Sequence, residues 1–356
     1  MKAEKGGIPS PIGWSVLAYG MGRSLHFHLQ SRILQIFSRP WVAGGFPTPP
    51  RDEETRRLLA ERTIQLIRED ADYFARGVFP LSLLRPENPV EHGFRSARLL
   101  ADAWRVIRQK RAGRTQVFSE EARARAELKP RYYQRNFHFQ DDGYLSDRSA
   151  DLYEHQVEVL FSGTADMMRR LALRALVDRL TPDQLATRGR GLRVLEVAAG
   201  TGRTGRMIRD LLPEAHLTLT DLSEIYLRKA REKFQGIEGV DFLQCPGEQL
   251  PFPDERFDVV VSVFLFHELP EEVRVQVLSE MKRVVKPGGM VIAVDSIQND
   301  DAPELSAVLE QFPKDFHEPF YRNYIDTPLE KMFRDSGLDP SGTTSALLAK
   351  MVVAIP

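Results

Sequence analysis

The carboxyl-terminal half of the chain alternates short apolar runs with amphipathic segments, the pattern expected of strands that are each followed by a helix. Six apolar runs predict strands, with the sequences LRVLEVA, HLTLTDL, VDFLQC, FDVVVSVFLF, GGMVIAVDS and ALLAKMVVAIP. The segments after these runs predict helices over residues 203–212, 223–234, 271–285 and 326–336. Because the strands are almost wholly apolar, we expect them to be buried on both faces, in a mostly parallel α/β sheet covered by helices.

The amino-terminal part of the chain shows helical periodicity and no strand pattern. Residues 1–148 therefore predict a mainly helical module, and residues 149–356 predict the α/β domain. One clear helix follows Asp52, which can cap it, and ends before Gly77. A second helix is expected over residues 94–111.

The junction between these two parts is rich in aromatic residues and contains no flexible Gly/Ser linker. We therefore expect the helical module to form a lid or wall over a pocket of the α/β domain. A long helix is predicted to begin at Asp151 and to lead into the first strand. The aromatic residues of the junction include Tyr132, Tyr133, Phe137, Phe139 and Tyr144.

An apolar stripe at four-residue steps marks a helix near the amino terminus. Arg23 and Arg32 lie beside this stripe. The stripe could dock the helix on the body of the protein, or it could lie on a membrane surface as a peripheral contact. It consists of Leu25, Leu29, Ile33 and Phe37.

Composition and charge narrow the class of protein. The 356 residues carry a formal net charge of −1, so no overall basic field favours nucleic acid as a partner. The single cysteine, Cys245, excludes an intrachain disulfide and a cysteine-rich metal cage. No apolar run reaches the roughly 20 residues of a membrane-spanning helix, and the amino terminus does not resemble a signal peptide, so a cytoplasmic location is expected.

The stretch RVLEVAAGTGRTGRMI raises the question of which nucleotide-like ligand its glycine-rich turn holds. Gly200, Gly202 and Gly205 fit the dinucleotide pattern G-x-G-x-x-G, in which a helix amino terminus faces a pyrophosphate. Here Glu196 precedes the glycines, and a carboxylate would repel a pyrophosphate but attract a cationic amino acid group. Asp221, at the end of the next strand, is placed to accept hydrogen bonds from ribose hydroxyls.

These motifs occur in the order found in class I S-adenosylmethionine-dependent methyltransferases. The chain resembles that family from about Tyr153 to its carboxyl terminus, especially the quinone-biosynthesis and other small-molecule enzymes. The motifs that carry the resemblance are LEVAAGTG, LTLTDLS, CPGEQLPFPDERFDVVVSVFLFHELP and MKRVVKPGGMVIAVDS. The resemblance implies a Rossmann-like, doubly wound, mostly parallel seven-stranded sheet, with S-adenosylmethionine as the cofactor.

The resemblance also implies cofactor-binding residues, position by position. Asp221 would hold the ribose, and Leu222 would contact the adenine. The residues of the first motif that would line the methionine part of the cofactor are Glu196, Ala198, Gly200, Thr201 and Gly202. The remaining positions are Tyr153 near the cofactor, Gly247 and Glu248 for the adenine, and Val263 next to the sulfonium.

Two positions depart from the family pattern. Ala198 replaces a glycine, which is tolerable if its φ angle stays negative. Pro246 replaces an aspartate and offers neither a carboxylate nor a backbone N–H. Adenine recognition is therefore expected to rest on the Gly247 backbone, on Glu248 or on apolar stacking.

Candidate catalytic groups follow the fourth and fifth strands. His267, in FLFHELP, matches a position beside the transferred methyl group and could remove a proton from the acceptor, or it could anchor the next helix. Glu268 reads as a helix-end residue. His317 and Tyr321 belong to the loop FPKDFHEPFYRNYIDTPLEKMF, a segment that often reaches over the substrate pocket in this family.

The residues expected around the acceptor are mainly aromatic, which favours a small apolar or aromatic acceptor over nucleic acid or a charged protein tail. The leading hypothesis is a methyltransferase that methylates oxygen or carbon of such an acceptor. The alternatives are a methyltransferase acting on a protein or tRNA, and a non-catalytic cofactor-binding scaffold or regulator. No metal site is expected, because the spacing of His138 from Asp141 or Asp142 is common by chance.

Overall fold

A seven-stranded sheet forms the centre of the protein, whose computed structural model describes residues 10–38, 52–85, 95–96, 98–99, 118–135, 137 and 142–356. The strands are β1 Arg193–Val197, β2 His216–Asp221, β3 Val240–Gln244, β4 Phe257–Val263, β5 Val285–Ser296, β6 Pro340–Ala346 and β7 Ala349–Ala354. Their order across the sheet is β3-β2-β1-β4-β5-β7-β6. β1 to β5 run parallel, whereas β7 runs antiparallel to both of its neighbours. The predicted doubly wound, mostly parallel sheet is confirmed.

Alternate residues of the central strands pack into two separate cores, one on each face of the sheet. In β4, Val259 and Val261 belong to one core and Val260 to the other, and all three are fully buried. This arrangement explains why the strands read as continuous apolar runs without polar alternation.

The carboxyl-terminal strand differs from the prediction, because it is the second half of a hairpin. β6 was not predicted, and Leu347, at φ +54°, turns the chain from β6 into β7. The sequence of β6, PSGTTSA, is polar and mostly exposed, since the strand lies at the edge of the sheet. It therefore carries no apolar signal.

Helices pack around the sheet, and one group of them precedes the first strand in the chain. Those before the sheet are α1 Pro11–Ser38, α2 Glu53–Ala75, α3 Glu120–Glu127, α4 Asp147–Leu160, α5 Ala165–Arg169, α6 Leu171–Arg179 and α7 Pro182–Ala186. Those between the strands are α8 Arg203–Leu211, α9 Glu224–Lys233, α10 Glu271–Val284, α11 Ser306–Phe316, α12 Tyr321–Asp326 and α13 Leu329–Asp335. Thus α11 and α12 occupy the segment that the sequence predicted to be a loop.

The predicted long helix from Asp151 is broken into α4, α5 and α6. The break contains Gly163, whose φ is +77°. A side chain on Gly163 would lie 2.9 Å from the carbonyl oxygen of Arg23 and 2.9 Å from the ring of Phe27. The break therefore lets α1 pack closely, a tertiary cause that helical periodicity does not reveal.

The amino-terminal helices share a core with the sheet. α2 begins as predicted, because the Asp52 side chain accepts the Thr55 N–H at 2.6 Å. The apolar face of α2 is buried in the same core as Val194 of β1 and Val261 of β4. The α2 residues in that core include Leu66, Ile67, Ala71 and Phe74.

One face of α1 packs on the protein, and the predicted apolar stripe lies on another face. Val16 and Phe27 are buried. The large apolar side chains that α1 exposes on one arc are Trp14 (54% exposed), Leu25 (60%), Leu29 (53%), Ile33 (45%) and Ile36 (58%). The helix therefore docks on the body of the protein, as one alternative expected, but through a face that does not include Leu25, Leu29 and Ile33.

Some predictions fall wholly or partly outside the described residues. These are the side chain of Phe37, residues His138, Phe139 and Asp141, and most of the helix expected over 94–111. Of that helix, residues 95–96 and 98–99 are described, and they are helical. Among the helices that the structure describes, none combines the length and the apolar character needed to cross a bilayer.

Candidate active site

A cavity that is open to solvent lies at the carboxyl ends of β1, β2 and β4, and its empty space, counted together with the open solvent at its mouth, is about 1000 Å³. Ligands bind at this edge in doubly wound sheets, because the loops that leave the parallel strands diverge there. The cavity is lined by all of the predicted cofactor-binding residues except Gly202, which lies beneath the turn. The lining residues predicted from the sequence are Tyr153, Glu196, Ala198, Gly200, Thr201, Asp221, Leu222, Gly247, Glu248 and Val263.

The glycine turn after β1 depends on residues without side chains. Gly200 and Gly202 have φ angles of +55° and +75°, which favour glycine. A side chain on Gly202 would lie 2.9 Å from Cβ of Ala230 in α9. One on Gly205 would meet Oε2 of Glu196 at 2.6 Å. The three glycines therefore shape the turn and pack α8 against its neighbours.

Ala198 corrects an expectation, because its φ angle is +57° and not negative. The chain must turn sharply here so that Ala199 N–H can donate to the Thr220 carbonyl at 2.8 Å. Gly200 N–H then reaches the Asp221 carboxylate, also at 2.8 Å. A left-handed conformation costs a non-glycine residue about 1–2 kcal/mol, which the surrounding turn must offset.

Glu196 reaches the cavity although only 3% of its surface is exposed. Burial raises the pKa of its carboxyl group to about 8. Within the described part of the chain, its Oε2 atom has no hydrogen-bond partner. A buried carboxyl in this condition fits the cationic amino group of an amino acid ligand, which would supply both a donor and a compensating charge.

Asp221 connects the loops that follow β1 and β2. Its carboxylate accepts the N–H groups of Gly200, at 2.8 Å, and Ser223, at 2.7 Å. Burial nevertheless raises the pKa of Asp221 to about 6. Because a carboxylate has about four lone-pair positions, Asp221 can accept further hydrogen bonds from hydroxyl groups in the cavity.

Two arginines that were not singled out in the sequence also line the cavity, Arg169 and Arg203. Both contact Asp166, with Arg169 Nη1 at 3.1 Å from Oδ1 and Arg203 Nε at 3.0 Å from the same oxygen. Arg23 of α1 joins this buried network through Glu158, at 2.8 Å. The network fixes two cationic side chains beside the glycine turn, where they fit a carboxylate ligand.

Aromatic residues of the junction contribute to the lining of the cavity. The Tyr132 hydroxyl donates to Glu248 Oε1 at 2.6 Å and so connects the junction to the loop after β3. The Tyr226 ring lies edge-on to Tyr144 and Tyr153, with centroids 5.3 and 5.6 Å away. The aromatic residues that line the cavity are Tyr132, Tyr133, Phe137, Tyr144, Tyr153, Tyr226 and Phe264.

Past the end of β4, two hydrogen-bonded pairs of polar groups lie one behind the other. Glu268 lines the cavity and accepts the Tyr144 hydroxyl at 2.6 Å. His267 lies behind Glu268, and its Nδ1 is 2.6 Å from Asp295 Oδ1. Burial alone would lower the pKa of His267, but the adjacent Asp295 carboxylate outweighs it, so that the pKa is raised. Glu268 is therefore a cavity residue that binds Tyr144, whereas the sequence predicted only a residue at a helix end.

His317 and Tyr321 do not line the cavity. His317 follows α11 in a left-handed conformation, at φ +51°. Tyr321 begins α12, where it is buried and its hydroxyl lies 2.6 Å from Ser296 Oγ. Its ring is 5.8 Å from that of His267, so it packs behind the histidine. The segment folds into helices on the far side of His267 and does not form a loop over the pocket.

Comparison with known proteins finds methyltransferases among the relatives of this chain. Residues 194–289 match the family model described as "Methyltransferase domain". Demethylmenaquinone methyltransferase of Listeria welshimeri is 38% identical over 112 residues, covering 31% of this chain and 47% of that protein. Phosphatidylethanolamine N-methyltransferase of Cereibacter sphaeroides is 43% identical over 122 residues, covering 33% and 57%.

A ubiquinone/menaquinone biosynthesis C-methyltransferase of Ectopseudomonas mendocina is 31% identical over 166 residues, covering 45% of this chain and 63% of that protein. The chain spans about half the length of the first of these curated relatives. The region that matches the family model holds the glycine turn and Asp221. Residues 194–289 are therefore a methyltransferase domain of the class I S-adenosylmethionine-dependent family, with S-adenosylmethionine as its cofactor.

Proposed function

We propose that the protein transfers a methyl group to a small acceptor with an apolar or aromatic body. The observation that carries this proposal is one cavity with two chemically different ends. Glu196 and Asp221 lie at one end, beside the glycine turn, and Glu268 lies at the other, bonded to Tyr144. A cofactor and a second small molecule would meet between these ends.

Residues of this chain would hold S-adenosylmethionine at the first end. Glu196 would accept the cationic amino group, Arg169 or Arg203 would pair with the carboxylate, and Asp221 would accept the ribose hydroxyls. The bound cofactor supplies an already activated methyl group. The protein therefore mainly aligns the reactants and excludes water, which the aromatic wall is suited to do.

The other end would orient the acceptor and receive its proton. Phe264 and Tyr144 would contact the acceptor body, and the Glu268 carboxylate would bind its polar group. His267, held by Asp295, lies one step behind and would accept the proton as a general base. This keeps the predicted role of His267, but with Glu268 between it and the cavity. His317 and Tyr321 would then support His267 from behind.

Calorimetry with S-adenosylmethionine tests the cofactor site, and formation of S-adenosylhomocysteine in the presence of acceptors tests turnover. Asp221→Ala should weaken binding by about 1–3 kcal/mol, the value of a hydrogen bond to a charged group. Asp241→Ala is the matched control, because this exposed carboxylate lies outside the cavity. Equal affinities of both variants would refute the ribose assignment, and absence of binding by the wild type would refute the function.

We also propose that α1 makes a peripheral contact with a lipid surface. Its exposed apolar arc, from Trp14 to Ile36, extends over about 33 Å of helix. Arg32, exposed beside the arc, would face anionic headgroups. A helix with one apolar face turned to solvent and a basic flank is suited to lie in the plane of a membrane interface.

A further inference from the structure

Arg23 of α1 connects the amino-terminal helix to the buried network beside the cavity. Its Nη2 atom lies 2.8 Å from Glu158 Oε1 and donates to Asp166 Oδ2 at 3.4 Å. Its Nε–H donates to the carbonyl oxygen of Gly163 at 3.1 Å, in the break between α4 and α5. Arg23 does not line the cavity, and its side chain is only 13% exposed. Any effect of Arg23 on a bound ligand must therefore pass through the residues that it contacts.

Asp166 is the centre of this network, because three guanidinium groups share its carboxylate. Arg169 and Arg203 donate to Oδ1 at 3.1 and 3.0 Å, whereas Oδ2 accepts from Arg203 and Arg23. Burial would raise the pKa of Asp166, but the charges and hydrogen bonds of the arginines outweigh it and hold the pKa well below its ordinary value. Since Arg169 and Arg203 line the cavity, their positions there depend on this one carboxylate.

Glu158 of α4 holds the backbone of the same segment. Its Oε1 atom accepts the Asp166 N–H at 3.1 Å and also faces Arg23. Asp166 and Arg169 belong to α5, which has five residues and is too short to be stable by itself. Without Arg23, the ion pairs of Glu158 among the described residues would be reduced to one, with Arg169 Nη1 at 3.8 Å. The orientation of α5 therefore depends on α1 through Arg23.

The charges of the network leave room for one anionic ligand group. Three guanidinium groups meet two carboxyl groups, those of Glu158 and Asp166. Burial raises the pKa of Glu158, which moves the balance further toward positive charge. Lys233 and Glu154, beside the glycine turn, contact each other. Glu196 would meet the amino group of the same ligand. A ligand carboxylate at the two cavity arginines would therefore complete the network.

Arginines that are fixed in advance bind a carboxylate better than mobile ones. A guanidinium group presents its N–H groups in a planar fork, so its orientation decides whether it can pair with a carboxylate through two hydrogen bonds. Ordering a mobile side chain during binding costs affinity, and contacts that order it beforehand remove that cost. Arg169 and Arg203 are ordered in this way by Asp166. Loss of Arg23 would loosen α5 and, with it, both guanidinium groups.

We propose that Arg23 is a positioning residue for cofactor binding, which acts on the carboxylate of S-adenosylmethionine without touching it. Through Glu158 and Asp166 it fixes the two cavity arginines that receive this carboxylate. The inference rests on the proposed function and on the pairing assigned there to these arginines. Arg23 lies outside residues 194–289, which match the family model, so a helix outside the methyltransferase domain contributes to the affinity of that domain for its cofactor.

A pair of ligands that differ only in the carboxylate tests the proposal with the full-length protein. Calorimetry compares S-adenosylmethionine with decarboxylated S-adenosylmethionine, which keeps the sulfonium and the amino group. We expect the wild type to prefer S-adenosylmethionine by at least tenfold. Arg23→Met should lower the affinity for S-adenosylmethionine about tenfold and leave that for the decarboxylated form within a factor of two, because only the carboxylate uses the arginines.

Arg23→Lys separates positioning from loss of the fold. It keeps the positive charge in the network, but one ammonium group cannot reproduce the three contacts of the guanidinium group. We expect a loss of about three- to fivefold for S-adenosylmethionine and no loss for the decarboxylated form. If Arg23→Met does not fold, as its melting temperature would show, the lysine variant alone decides.

Arg57→Met is the matched control, because this arginine pairs with Glu61 on the surface of α2, where its side chain is 75% exposed. It should leave both affinities unchanged. Equal losses for the two ligands, or no loss for either, in the folded Arg23 variants would overturn the proposal. Equal affinity of the wild type for both ligands would refute the carboxylate assignment and the proposal with it, whereas absence of S-adenosylmethionine binding by the wild type would refute the underlying function.

Discussion

Glu196 shows how one buried carboxyl can link cofactor binding to pH. Its pKa of about 8 means that the carboxyl is mostly protonated at pH 7 in the free protein. If a cationic amino group binds there, the pKa falls and a proton is released. We therefore expect cofactor affinity to rise between pH 6 and about 8 more steeply for the wild type than for Glu196→Gln.

Calorimetry in buffers of different ionisation enthalpy measures this proton release directly. Comparing the wild type with Glu196→Gln removes any contribution from protons on the ligand itself. Equal proton release by the two proteins would show that Glu196 does not receive the amino group. The Asp221→Ala variant should still release the proton, because Glu196 is intact in it.

A second prediction at the residue scale concerns the pair of His267 and Asp295. His267 must be neutral to accept a proton, so kcat/KM should rise with pH through its raised pKa. Asp295→Asn removes the charge that raises this pKa, and the rise should move to lower pH. The same change should lower the plateau by about 10²-fold or more, because the ring loses its fixed orientation. Arg274, which opposes the effect of Asp295, is unchanged in the variant.

The measurement is a pH profile of kcat/KM for the wild type, Asp295→Asn, His267→Ala and the exposed control Asp300→Asn. His267→Ala should lower turnover by roughly 10²–10⁴-fold and remove the rise, with cofactor affinity unchanged. If instead its turnover per folded molecule is normal and only its melting temperature falls, the histidine merely anchors the neighbouring turn.

At the residue scale, sequence reasoning found groups whose role follows from the strand that precedes them. Glu196 and Asp221 end parallel strands, so their place at the cavity follows from the topology. The places of Arg169 and Glu268 at the cavity could not be predicted in this way. Arg169 reaches the cavity from a helix before the sheet, and Glu268 turns toward it because Tyr144, distant in sequence, holds its carboxylate. Such contacts depend on tertiary packing and not on local pattern.

Among the elements, the turn into α8 is the one most sensitive to added volume. Gly202→Ala would force an alanine into φ +75° and place its Cβ 2.9 Å from that of Ala230. We expect a loss of about 1–3 kcal/mol in the free energy of unfolding. Gly22→Ala is the control, because Gly22 lies inside α1 with nothing within 4 Å of an added Cβ. This change should stabilise the protein by up to about 1 kcal/mol, the difference in helix propensity.

Urea unfolding of both variants, followed by circular dichroism, gives the two free energies. The opposite signs are the essential part of the prediction, since both substitutions add the same methyl group. A Gly202→Ala protein as stable as the wild type would mean that α9 can move away from the turn. In that case the turn would not constrain the cofactor site as described.

The elements that sequence reasoning recovered are those with a strong apolar period. β1, β2, β4 and β5 are buried on both faces, and this burial is visible in their sequences as runs of apolar residues. β6 was not predicted, because an edge strand needs few apolar residues. α11 and α12 were not predicted, because they are short and lie close to two prolines. Pro313, in the last turn of α11, and Pro328, after α12, were interpreted as signs of a loop.

On the scale of the whole molecule, residues 1–148 and 149–356 are proposed as two parts that fold together. α2 contributes Leu66 and Phe74 to the core beneath β1 and β4, and Tyr132 closes the cavity. A chain that begins at Ser149 would expose this core and lose the aromatic wall. We expect it to bind a hydrophobic dye, to aggregate and to lack turnover. Leu66→Ala in the full-length chain should cost about 2–5 kcal/mol.

Size-exclusion chromatography and thermal melting of the shortened chain measure this outcome. A soluble, monomeric protein of residues 149–356 that melts cooperatively near the wild-type temperature would show that the α/β domain is autonomous. The amino-terminal helices would then be an accessory. Full turnover by that protein would contradict the role assigned to the aromatic wall.

The exposed arc of α1 makes the final prediction, which concerns the surface of the whole molecule. If the arc lies on lipid, burying three of its side chains should contribute about 1 kcal/mol each, or roughly 100-fold in partitioning. The triple variant Leu25→Ser, Leu29→Ser, Ile33→Ser should therefore lose binding to phosphatidylglycerol-containing vesicles in co-sedimentation. Leu128→Ser is the matched control, because Leu128 is 85% exposed but lies outside the arc.

Trp14 supplies an independent spectroscopic readout, because it is 54% exposed at one end of the same arc. Its emission should shift to shorter wavelength when vesicles are added to the wild type and to Leu128→Ser, but not when they are added to the triple variant. Replacing anionic lipid with phosphatidylcholine should weaken the interaction, since Arg32 then loses its electrostatic partner. Wild-type protein that stays in solution with anionic vesicles would exclude the lipid contact, and the arc would then have to be covered by protein.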